Sequence, residues 1–221
     1  FRFNAVINEE VARCGLATDG FSLHNDIVAP YLAEYSSREQ QERWLPGFVS
    51  GETVTAIAMT EPGTGSDLAR IASTAREVDD AYVISGAKTF ITNGSTADLV
   101  LVLVRTGERG MSLLAVERGT PGMVQAQPLH KIGRRAQDTA EIVFDDVRVP
   151  RTNLIGEPGR ALDLVKRNLP QERLAIAVTA IASAERALAI GRRYATERET
   201  FGRPLSGHQT VLHSFAEMHT D

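Results

Sequence analysis

Residues 58–67 have the sequence Ala-Met-Thr-Glu-Pro-Gly-Thr-Gly-Ser-Asp, and residues 89–94 have the sequence Thr-Phe-Ile-Thr-Asn-Gly. Each segment is a glycine-containing turn that carries hydroxyl groups and follows an apolar run. We expect Gly63 and Gly65 to adopt unusual backbone dihedral angles and to let a ligand approach closely. The hydroxyls supply hydrogen-bonding groups, and Phe90 supplies an aromatic face. Together these features fit a flat heteroaromatic ring, which needs polar groups along its edge and apolar groups over its faces.

Each segment has a simpler interpretation when it is taken alone. Asn93-Gly94 lies between two strand-like runs, where such a pair usually forms a hairpin turn. A loop rich in Thr, Gly and Ser is usually only a loop. The first segment is not a dinucleotide-binding fingerprint, because Leu68 stands at the third glycine position and no helical pattern follows.

Composition limits the class of protein. The chain has 221 residues, 43% of them apolar, and a formal charge of −4. These values suit a globular protein of one or two compact units. There is no block of like charge that would favour nucleic acid or a membrane surface. No apolar run approaches the roughly 20 residues that span a bilayer, so we expect no membrane span.

The cysteine and histidine content argues against several kinds of site. Cys14 is the only cysteine, which excludes an intramolecular disulfide framework and a multi-cysteine metal site. His24 and His213 do not have the spacing of a metal-binding pair, so we predict no metal. A reducing compartment fits this content. No signal or transit peptide is visible. Since the sequence starts at Phe1 without Met and ends within a helical pattern, we expect a fragment.

The chain divides into three zones: a helical zone (1–52), a strand-rich zone (53–155) and a second helical zone (156–221). The predicted fold is therefore α+β and multidomain, with a partial N-terminal helical part, a central antiparallel β-sandwich or barrel, and a truncated C-terminal helical bundle. The predicted strands include residues 81–85, 99–104, 111–116 and 140–144.

Helix signals lie on both sides of the strand-rich zone. Residues 36–42 resemble an N-cap and first turn, and that helix is predicted to stop near Pro46-Gly47. From residue 173 to about 200, apolar and small residues form one stripe, which implies a bundle partner. Residues 201–204, Phe-Gly-Arg-Pro, should end this helix, and another helix is expected from Gln209.

In their spacing, the two opening segments resemble the flavin-binding middle domain of the acyl-CoA dehydrogenases. The order of helical, β and helical zones is similar to that family, and the resemblance covers nearly the whole chain. It implies FAD as cofactor, an oxidoreductase acting on CH-CH donors, a role in fatty acid β-oxidation, and a homo-oligomer, either a dimer or a homotetramer. From the resemblance we expect much of the first helical domain and most of the last to lie outside this sequence.

The resemblance also implies contacts for the cofactor. Thr60 and Ser66 would hydrogen-bond the flavin, and Phe90 with its two successors would pack on the ring. Arg198 would reach the flavin pyrophosphate of a neighbouring subunit, although the arginines there could equally be a solvated helix end. The predicted cofactor-binding residues are Ile57, Ala58, Met59, Thr60, Glu61, Gly63, Gly65, Ser66, Phe90, Ile91, Thr92, Arg198, Thr200 and Gln209, with His208 nearby.

A third segment, Leu169-Pro-Gln-Glu-Arg-Leu-Ala175, supplies the candidate base. A carboxylate beside an arginine is usually a structural pair. We interpret Pro170 as a helix-start residue. This segment resembles the long-chain branch of the family, which carries a catalytic glutamate where Glu172 stands. Burial would raise the pKa of Glu172, and Arg173 would oppose that. The predicted substrate-binding residues are Ser66, Pro170, Gln171 and Arg173.

The resemblance therefore implies α,β-desaturation of an acyl-CoA thioester to trans-2-enoyl-CoA, with Glu172 as base and hydride passing to flavin N5. The expected electron acceptor is an electron-transfer flavoprotein or another carrier. Two alternatives stay open: a flavin-binding subunit or fragment without turnover, and a family member with oxidase or monooxygenase chemistry. The location would be the bacterial cytoplasm or the mitochondrial matrix.

Overall fold

The computed structural model describes residues 1–16, 19–107 and 110–221. Six α-helices lie in this part of the chain: α1 (Arg2–Cys14), α2 (Asp19–Ser22), α3 (Ala29–Glu34), α4 (Arg38–Ser50), α5 (Ala161–Glu197) and α6 (Gln209–Thr220). A π-helix, Leu23–Val28, joins α2 to α3. Short 3₁₀ turns occupy Leu68–Arg70, Arg151–Asn153 and Leu205–Gly207.

Ten strands lie between and after these helices in the described residues. They are β1 (Thr55–Ala58), β2 (Thr74–Val78), β3 (Ala81–Thr92), β4 (Leu99–Arg105), β5 (Met111–Glu117), β6 (Met123–Gln125), β7 (Thr139–Pro150), β8 (Leu154–Ile155), β9 (Glu199–Thr200) and β10 (Arg203–Pro204). The first eight form one sheet in the order β6-β7-β3-β2-β4-β5-β8, with β1 also paired to β4. Only the β1–β4 and β2–β4 pairs are parallel. The predicted fold class, a mostly antiparallel sheet between helical parts, is confirmed.

The chain separates into two compact units. The sheet unit comprises residues 18–172, and the helical unit comprises residues 1–17 and 173–221. The boundary between them falls within α5.

Strand β4 shows how the sheet unit builds its core. All six residues from Leu99 to Val104 are buried. Because side chains alternate across a strand, Val100, Val102 and Val104 join an inner cluster with residues of β3, β5 and β7. Leu99, Leu101 and Leu103 join an outer cluster with side chains of α3 and α4. A strand buried on both faces has a continuous apolar sequence, which is why this run was predictable.

Helix α4 begins as the sequence predicted and ends later. Ser37 caps it by accepting from the backbone N of Gln40 at 3.2 Å, while the Gln40 side chain accepts from the backbone N of Ser37 at 2.8 Å. The predicted stop near Pro46-Gly47 is wrong, because the helix continues to Ser50 and ends at Gly51 with φ 79°. Trp44 and Phe48 pack in the outer cluster, and this tertiary packing outweighs the hydrogen bond that the proline removes.

Helix α5 also departs from the prediction. It begins at Ala161, so Pro170 lies in its interior rather than at its start. By length and composition alone this helix could cross a membrane, with a mean hydropathy of 1.6 in its most apolar window and 11% of that window buried. The sequence expectation of no span rested on uninterrupted apolar runs, and Glu185 with Arg186 interrupts this one. The same test is passed by core helices of soluble proteins.

The helical unit has its own contacts. Arg13 of α1 pairs with Glu185 of α5 at 3.3 Å, and the Arg186 guanidinium donates to the backbone oxygen of Arg13 at 2.7 Å. After α5, Phe201 and Gly202 form a turn between β9 and β10 with positive φ values of 51° and 74°. Helix α6 follows from Gln209, as predicted.

Gly86 provides a stability test within the sheet unit. Its φ is 148°, and a Cβ atom placed there would lie 2.8 Å from the Cα atom of Ser73. We expect Gly86→Ala to lower the free energy of unfolding by about 1–3 kcal/mol, because the backbone would have to shift. Gly63→Ala is the matched control, since its Cβ would meet nothing within 4 Å. Equal urea-unfolding midpoints for the two variants would contradict the prediction.

Candidate active site

The two segments that open the sequence analysis lie against each other in the sheet unit. We call residues 58–67 and 89–94 the paired loops. The backbone N of Thr89 donates to the oxygen of Thr60 at 3.0 Å. Lys88, directly before the second loop, donates from Nζ to the backbone oxygen of Met59 at 3.1 Å. The structure therefore places both candidate cofactor segments at one site.

The first loop turns tightly without unusual glycine conformations. Glu61 and Thr64 exchange backbone hydrogen bonds of 2.9 and 3.0 Å, which close the turn. Contrary to expectation, neither Gly63 nor Gly65 has a positive φ among the described residues. A Cβ atom at either position would meet nothing within 4 Å, so a ligand could approach both positions. Their lack of a side chain leaves open space rather than relieving backbone strain.

The second loop carries the unusual backbone. Phe90 has φ 57° and Asn93 has φ 59°. A bulky residue with positive φ is an outlier of the kind that clusters at functional sites. The Phe90 side chain is 67% exposed, so it offers an aromatic face to solvent. Asn93 is held from behind, because its Nδ2 donates to the Thr55 oxygen at 3.0 Å. This buried hydrogen bond therefore helps to hold Asn93 in its positive-φ conformation.

The remaining side chains of the paired loops are divided between packing and exposure. Ile91 is buried, while Thr92 accepts from Gln137 Nε2 at 2.9 Å. The hydroxyl of half-buried Thr60 and that of exposed Ser66 make no hydrogen bond to another described residue. These two hydroxyls and the Phe90 ring suit the polar edge and apolar face of a flavin, so this part of the site fits the expected cofactor.

Behind the first loop lies a buried ion pair. Lys88 Nζ contacts Glu61 Oε1 at 2.8 Å, with Lys88 fully buried and Glu61 6% exposed. Glu61 also accepts from the backbone N of Ala72 at 2.6 Å and of Ser73 at 2.9 Å. Burial alone would raise the pKa of Glu61, but the hydrogen bonds from Lys88, Ser73 and Ala72 outweigh it and lower that pKa to about 2. Burial lowers the pKa of Lys88, and Glu61 opposes this.

This pair changes the role expected for Glu61. The sequence prediction placed Glu61 among the cofactor contacts. In the structure both of its carboxylate oxygens are occupied by Lys88, Ala72 and Ser73, so the side chain is directed into the protein. Any contact of Glu61 with a cofactor would therefore come from its backbone, and the pair holds the loop in place.

The candidate base, Glu172, lies at the end of the sheet unit on α5. Its Oε1 atom is buried and has no hydrogen-bond partner among the described residues. Burial raises the pKa of Glu172, and Tyr31 opposes the increase. The sequence analysis expected the first effect but assigned the opposing one to Arg173. Glu172 as a whole is half-buried. A carboxyl with a raised pKa suits a general base, since proton transfer is most efficient when that pKa approaches the working pH.

The neighbours of Glu172 in sequence differ in exposure. Pro170 and Arg173 are exposed, whereas Gln171 is half-buried and its Nε2 lies 3.5 Å from the Asp26 backbone oxygen on the π-helix. A further residue of that π-helix, His24, contacts the Thr55 hydroxyl on β1 at 2.9 Å. The substrate roles of Pro170, Gln171, Arg173 and Ser66 stay predictions.

The helical unit holds the other predicted cofactor residues. Arg198 is exposed just after α5, and Gln209 is exposed at the start of α6. The Thr200 hydroxyl lies 3.3 Å from His208 Nε2, and an Arg203 nitrogen lies 3.2 Å from His208 Nδ1. An exposed guanidinium is available to a phosphate, so the pyrophosphate role of Arg198 stays a prediction.

Sequence reasoning missed Lys88, Gln137 and Tyr31. Lys88 had a detectable signal, because strand alternation from Tyr82 and Ile84 places it on the inner face of β3. Its partner is 27 residues away, which local patterns do not show. Gln137 and Tyr31 had no such signal, since each contributes through a contact that the tertiary fold creates.

The paired loops lie in a mostly antiparallel sheet between two helical segments of the chain, and the comparisons with known proteins identify the family that has this architecture. Models of the N-terminal, middle and C-terminal domains of acyl-CoA dehydrogenase match residues 1–52, 56–147 and 159–221, respectively. The chain belongs to the acyl-CoA dehydrogenase family.

Individual relatives support the same assignment. The long-chain specific acyl-CoA dehydrogenase of Rattus norvegicus mitochondria is 43% identical over 98% of this chain and 52% of its own length. An acyl-CoA dehydrogenase structure from Geobacillus kaustophilus is 48% identical, with a TM-score of 0.96, over all of this chain and 60% of its own. A glutaryl-CoA dehydrogenase from Mycobacterium smegmatis, solved with FADH2, is 30% identical with a TM-score of 0.85, over 91% of this chain and 52% of its own. The chain spans about half the length of the curated relatives it matches.

Proposed function

We propose that the protein is an FAD-dependent acyl-CoA dehydrogenase of the long-chain-like branch. The observation that carries the proposal is Glu172, a half-buried residue with a buried Oε1 and a raised pKa, on the segment where the long-chain branch has its base. The exposed Phe90 ring and the free hydroxyls of the paired loops support a flavin site in the same unit. The FADH2 complex of the 30% identical glutaryl-CoA dehydrogenase supports FAD as the cofactor.

The proposed reaction gives each residue a distinct task. Glu172 accepts the α-proton of the acyl thioester, and the C–H electron pair becomes the new α,β double bond. The flavin, when bound, supplies the acceptor for the hydride that leaves the β-carbon. Thr60 and Ser66 hold the edge of the ring, while Phe90 covers its face. Arg198 of one chain binds the pyrophosphate belonging to a second copy, which makes a homo-oligomer the working form.

The proposal extends to partners. Electrons would leave through an electron-transfer flavoprotein or another acceptor, and the protein would act in fatty acid β-oxidation. The location would be mitochondrial or bacterial cytoplasmic, since the relatives include a mitochondrial enzyme and a bacterial protein.

An anaerobic visible spectrum tests the function directly. The purified protein is reconstituted with FAD, desalted, and mixed with a long-chain acyl-CoA. We expect flavin to be retained and its absorbance to bleach, because desaturation reduces the ring. A matched reaction with the corresponding enoyl-CoA is the control, since its α,β bond is already a double bond and it cannot be desaturated to reduce the flavin. Rapid return of colour on admission of air, with hydrogen peroxide release, would favour the oxidase alternative.

Two results would contradict the proposal in different ways. Flavin that is retained and stays oxidised with acyl-CoAs from short to long would favour a binding subunit without turnover. Failure of the protein to retain FAD at all would remove the cofactor assignment for this chain.

A further inference from the structure

Three of the buried polar atoms that have no hydrogen-bond partner among the described residues belong to Glu172 and to two other residues of α3 and α5. They are Tyr31 Oη, Asn168 Nδ2 and Glu172 Oε1, and all three residues lie in the sheet unit. Tyr31 is fully buried on α3, and Asn168 is 8% exposed on α5, one helical turn before Glu172. A buried polar atom without a partner lowers the stability of the fold. Such a cost is typical of sites where polar groups are held for a chemical role.

Tyr31 and Glu172 influence each other even though their geometry falls short of a complete hydrogen bond. Burial is the main reason that the pKa of the Tyr31 phenol is raised, and the charge of Glu172 raises that pKa further. Tyr31 in turn lowers the pKa of Glu172, against the effect of burial. The phenol therefore remains protonated and available as a donor when the carboxyl is ionised.

Asn168 of α5 also contacts Tyr35, the residue directly after α3. Its Oδ1 accepts from the Tyr35 hydroxyl at 3.4 Å, so its Nδ2 is directed away from Tyr35. Its Nδ2 is buried without a hydrogen-bond partner among the described residues, and Asn168 lowers the pKa of the Tyr31 phenol. Asn168 can thereby fix the direction of the Tyr31 hydroxyl.

The π-helix carries two ionisable side chains, His24 and Asp26, and each has its own contacts. The His24 ring lies 2.9 Å from the Thr55 hydroxyl and 3.1 Å from the Phe48 backbone oxygen. Asp26 is 2% exposed and accepts from the Ser22 hydroxyl at 2.8 Å. Gln171 reaches only the backbone oxygen of Asp26. Burial raises the pKa of Glu172, and Tyr31 lowers it.

We propose that Tyr31 is a positioning residue for Glu172, donating its hydroxyl to the ionised carboxylate and thereby fixing which oxygen is presented for proton transfer. Asn168 orients that hydroxyl. The partnerless Oε1 is the oxygen left free to accept a proton. The role in catalysis rests on the proposed function, whereas the effect on the carboxyl depends only on these side chains.

The test compares Tyr31→Phe with Tyr35→Phe. Tyr31→Phe keeps the buried ring and removes an unsatisfied hydroxyl, so stability should be unchanged or slightly increased. The Glu172 carboxyl is followed by ¹³C NMR in the cofactor-free protein, with its signal assigned by its loss in Glu172→Gln. We expect an upward shift of the Glu172 pKa in Tyr31→Phe and none in Tyr35→Phe. Asn168→Ala is the second variant, expected to shift the pKa in the same direction by a smaller amount.

The reductive half-reaction supplies the catalytic readout. In Tyr31→Phe, the rising limb of the rate of flavin bleaching should move to higher pH. The plateau should fall about tenfold or more, because a misplaced base is costly. An unchanged Glu172 pKa in both Tyr31→Phe and Asn168→Ala overturns the inference. A shifted pKa in a protein whose wild type does not bleach would instead count against the proposed function and leave the positioning role supported.

Discussion

Replacing Glu172 with Gln is expected to slow acyl-CoA-dependent bleaching of the bound flavin by about 10²- to 10⁴-fold, because glutamine has nearly the same shape but cannot accept a proton. The affinity for FAD should stay within about twofold, since the side chain is proposed to act on the substrate. Stopped-flow absorbance under anaerobic conditions measures the first quantity, and a desalting or fluorescence titration measures the second.

Glu185→Gln is the matched control. Glu185 lies on the same helix, α5, but it is exposed and pairs with Arg13. Its neutralisation should change the bleaching rate by less than about twofold, because exposed ion pairs contribute about 1 kcal/mol or less. If both variants lose rate to a comparable extent, the loss comes from removing a negative charge from α5 and not from removing the base.

The pH dependence of stability gives an independent check on Glu172. Its folded-state pKa is raised above the ordinary value of 4.5, so the folded protein disfavours ionisation. Its contribution to stability is therefore fully present below pH 4.5 and is lost as the pH rises through the folded-state pKa. The free energy of unfolding of Glu172→Gln minus that of wild type should therefore be larger at pH 7.5 than at pH 4. Urea unfolding at the two pH values measures this. A stability difference between variant and wild type that is the same at both pH values would contradict a raised pKa for Glu172.

The fold was predictable where local sequence and tertiary packing agree. The apolar run of β4 and the capping residues before α4 each indicated the element that forms. Proline gave the wrong result twice, at Pro46 and Pro170, because each lies inside a helix whose packing or length compensates for the lost hydrogen bond. A local rule describes the isolated segment, and these helices are not isolated.

The Asn93-Gly94 pair shows the same limit in the sheet. The hairpin interpretation is wrong, because β3 pairs with β2 and β7 while β4 pairs with β1, β2 and β5. The turn instead connects β3 to β4, two strands of the sheet that are not paired with each other. The Asn93 side chain binds the Thr55 backbone. Strand pairing is a long-range property, so a turn signal alone cannot give the partner.

The candidate site was predictable as a set of segments but not as an arrangement. Phe90 and the hydroxyls were found because their residue types suit a flavin. Their support was not found, because Lys88, Asn93 and Tyr31 act through partners 27 to 141 residues away. Those buried polar contacts decide whether the loops and the carboxyl hold their geometry.

Replacing Lys88 with Met should therefore have the largest effect on stability. The change leaves the Glu61 carboxylate buried without its cation, which typically costs about 3–5 kcal/mol. For a unit of this size that corresponds to a fall of roughly 10 °C in Tm. FAD binding should also weaken, because Lys88 holds the Met59 oxygen and thereby the first of the paired loops. Differential scanning fluorimetry and urea unfolding measure the stability loss.

Lys131→Met is the control for removing a lysine that makes specific hydrogen bonds. Lys131 is half-buried and donates to the Gln137 oxygen at 2.6 Å and the Thr139 hydroxyl at 2.8 Å, with no carboxylate partner among the described residues. Its replacement should cost about 1 kcal/mol, the range of ordinary hydrogen bonds. If Lys88→Met lowers the free energy of unfolding no more than Lys131→Met does, the Lys88–Glu61 ion pair contributes no more to stability than ordinary hydrogen bonds.

Acid pH should separate loss of the ion pair from loss of packing. In the wild type, Glu61 has a pKa of about 2, so its contribution to stability is present above the ordinary value of 4.5 and is lost as the pH falls through about 2. Without Lys88 the main hydrogen bond that lowers this pKa is gone, and Glu61 becomes protonated at a higher pH. The stability difference between wild type and Lys88→Met should therefore shrink as the pH falls below 4.5. A cavity or a packing defect would cost the same at every pH, so a constant difference would assign the loss to packing and remove the ion pair as its cause.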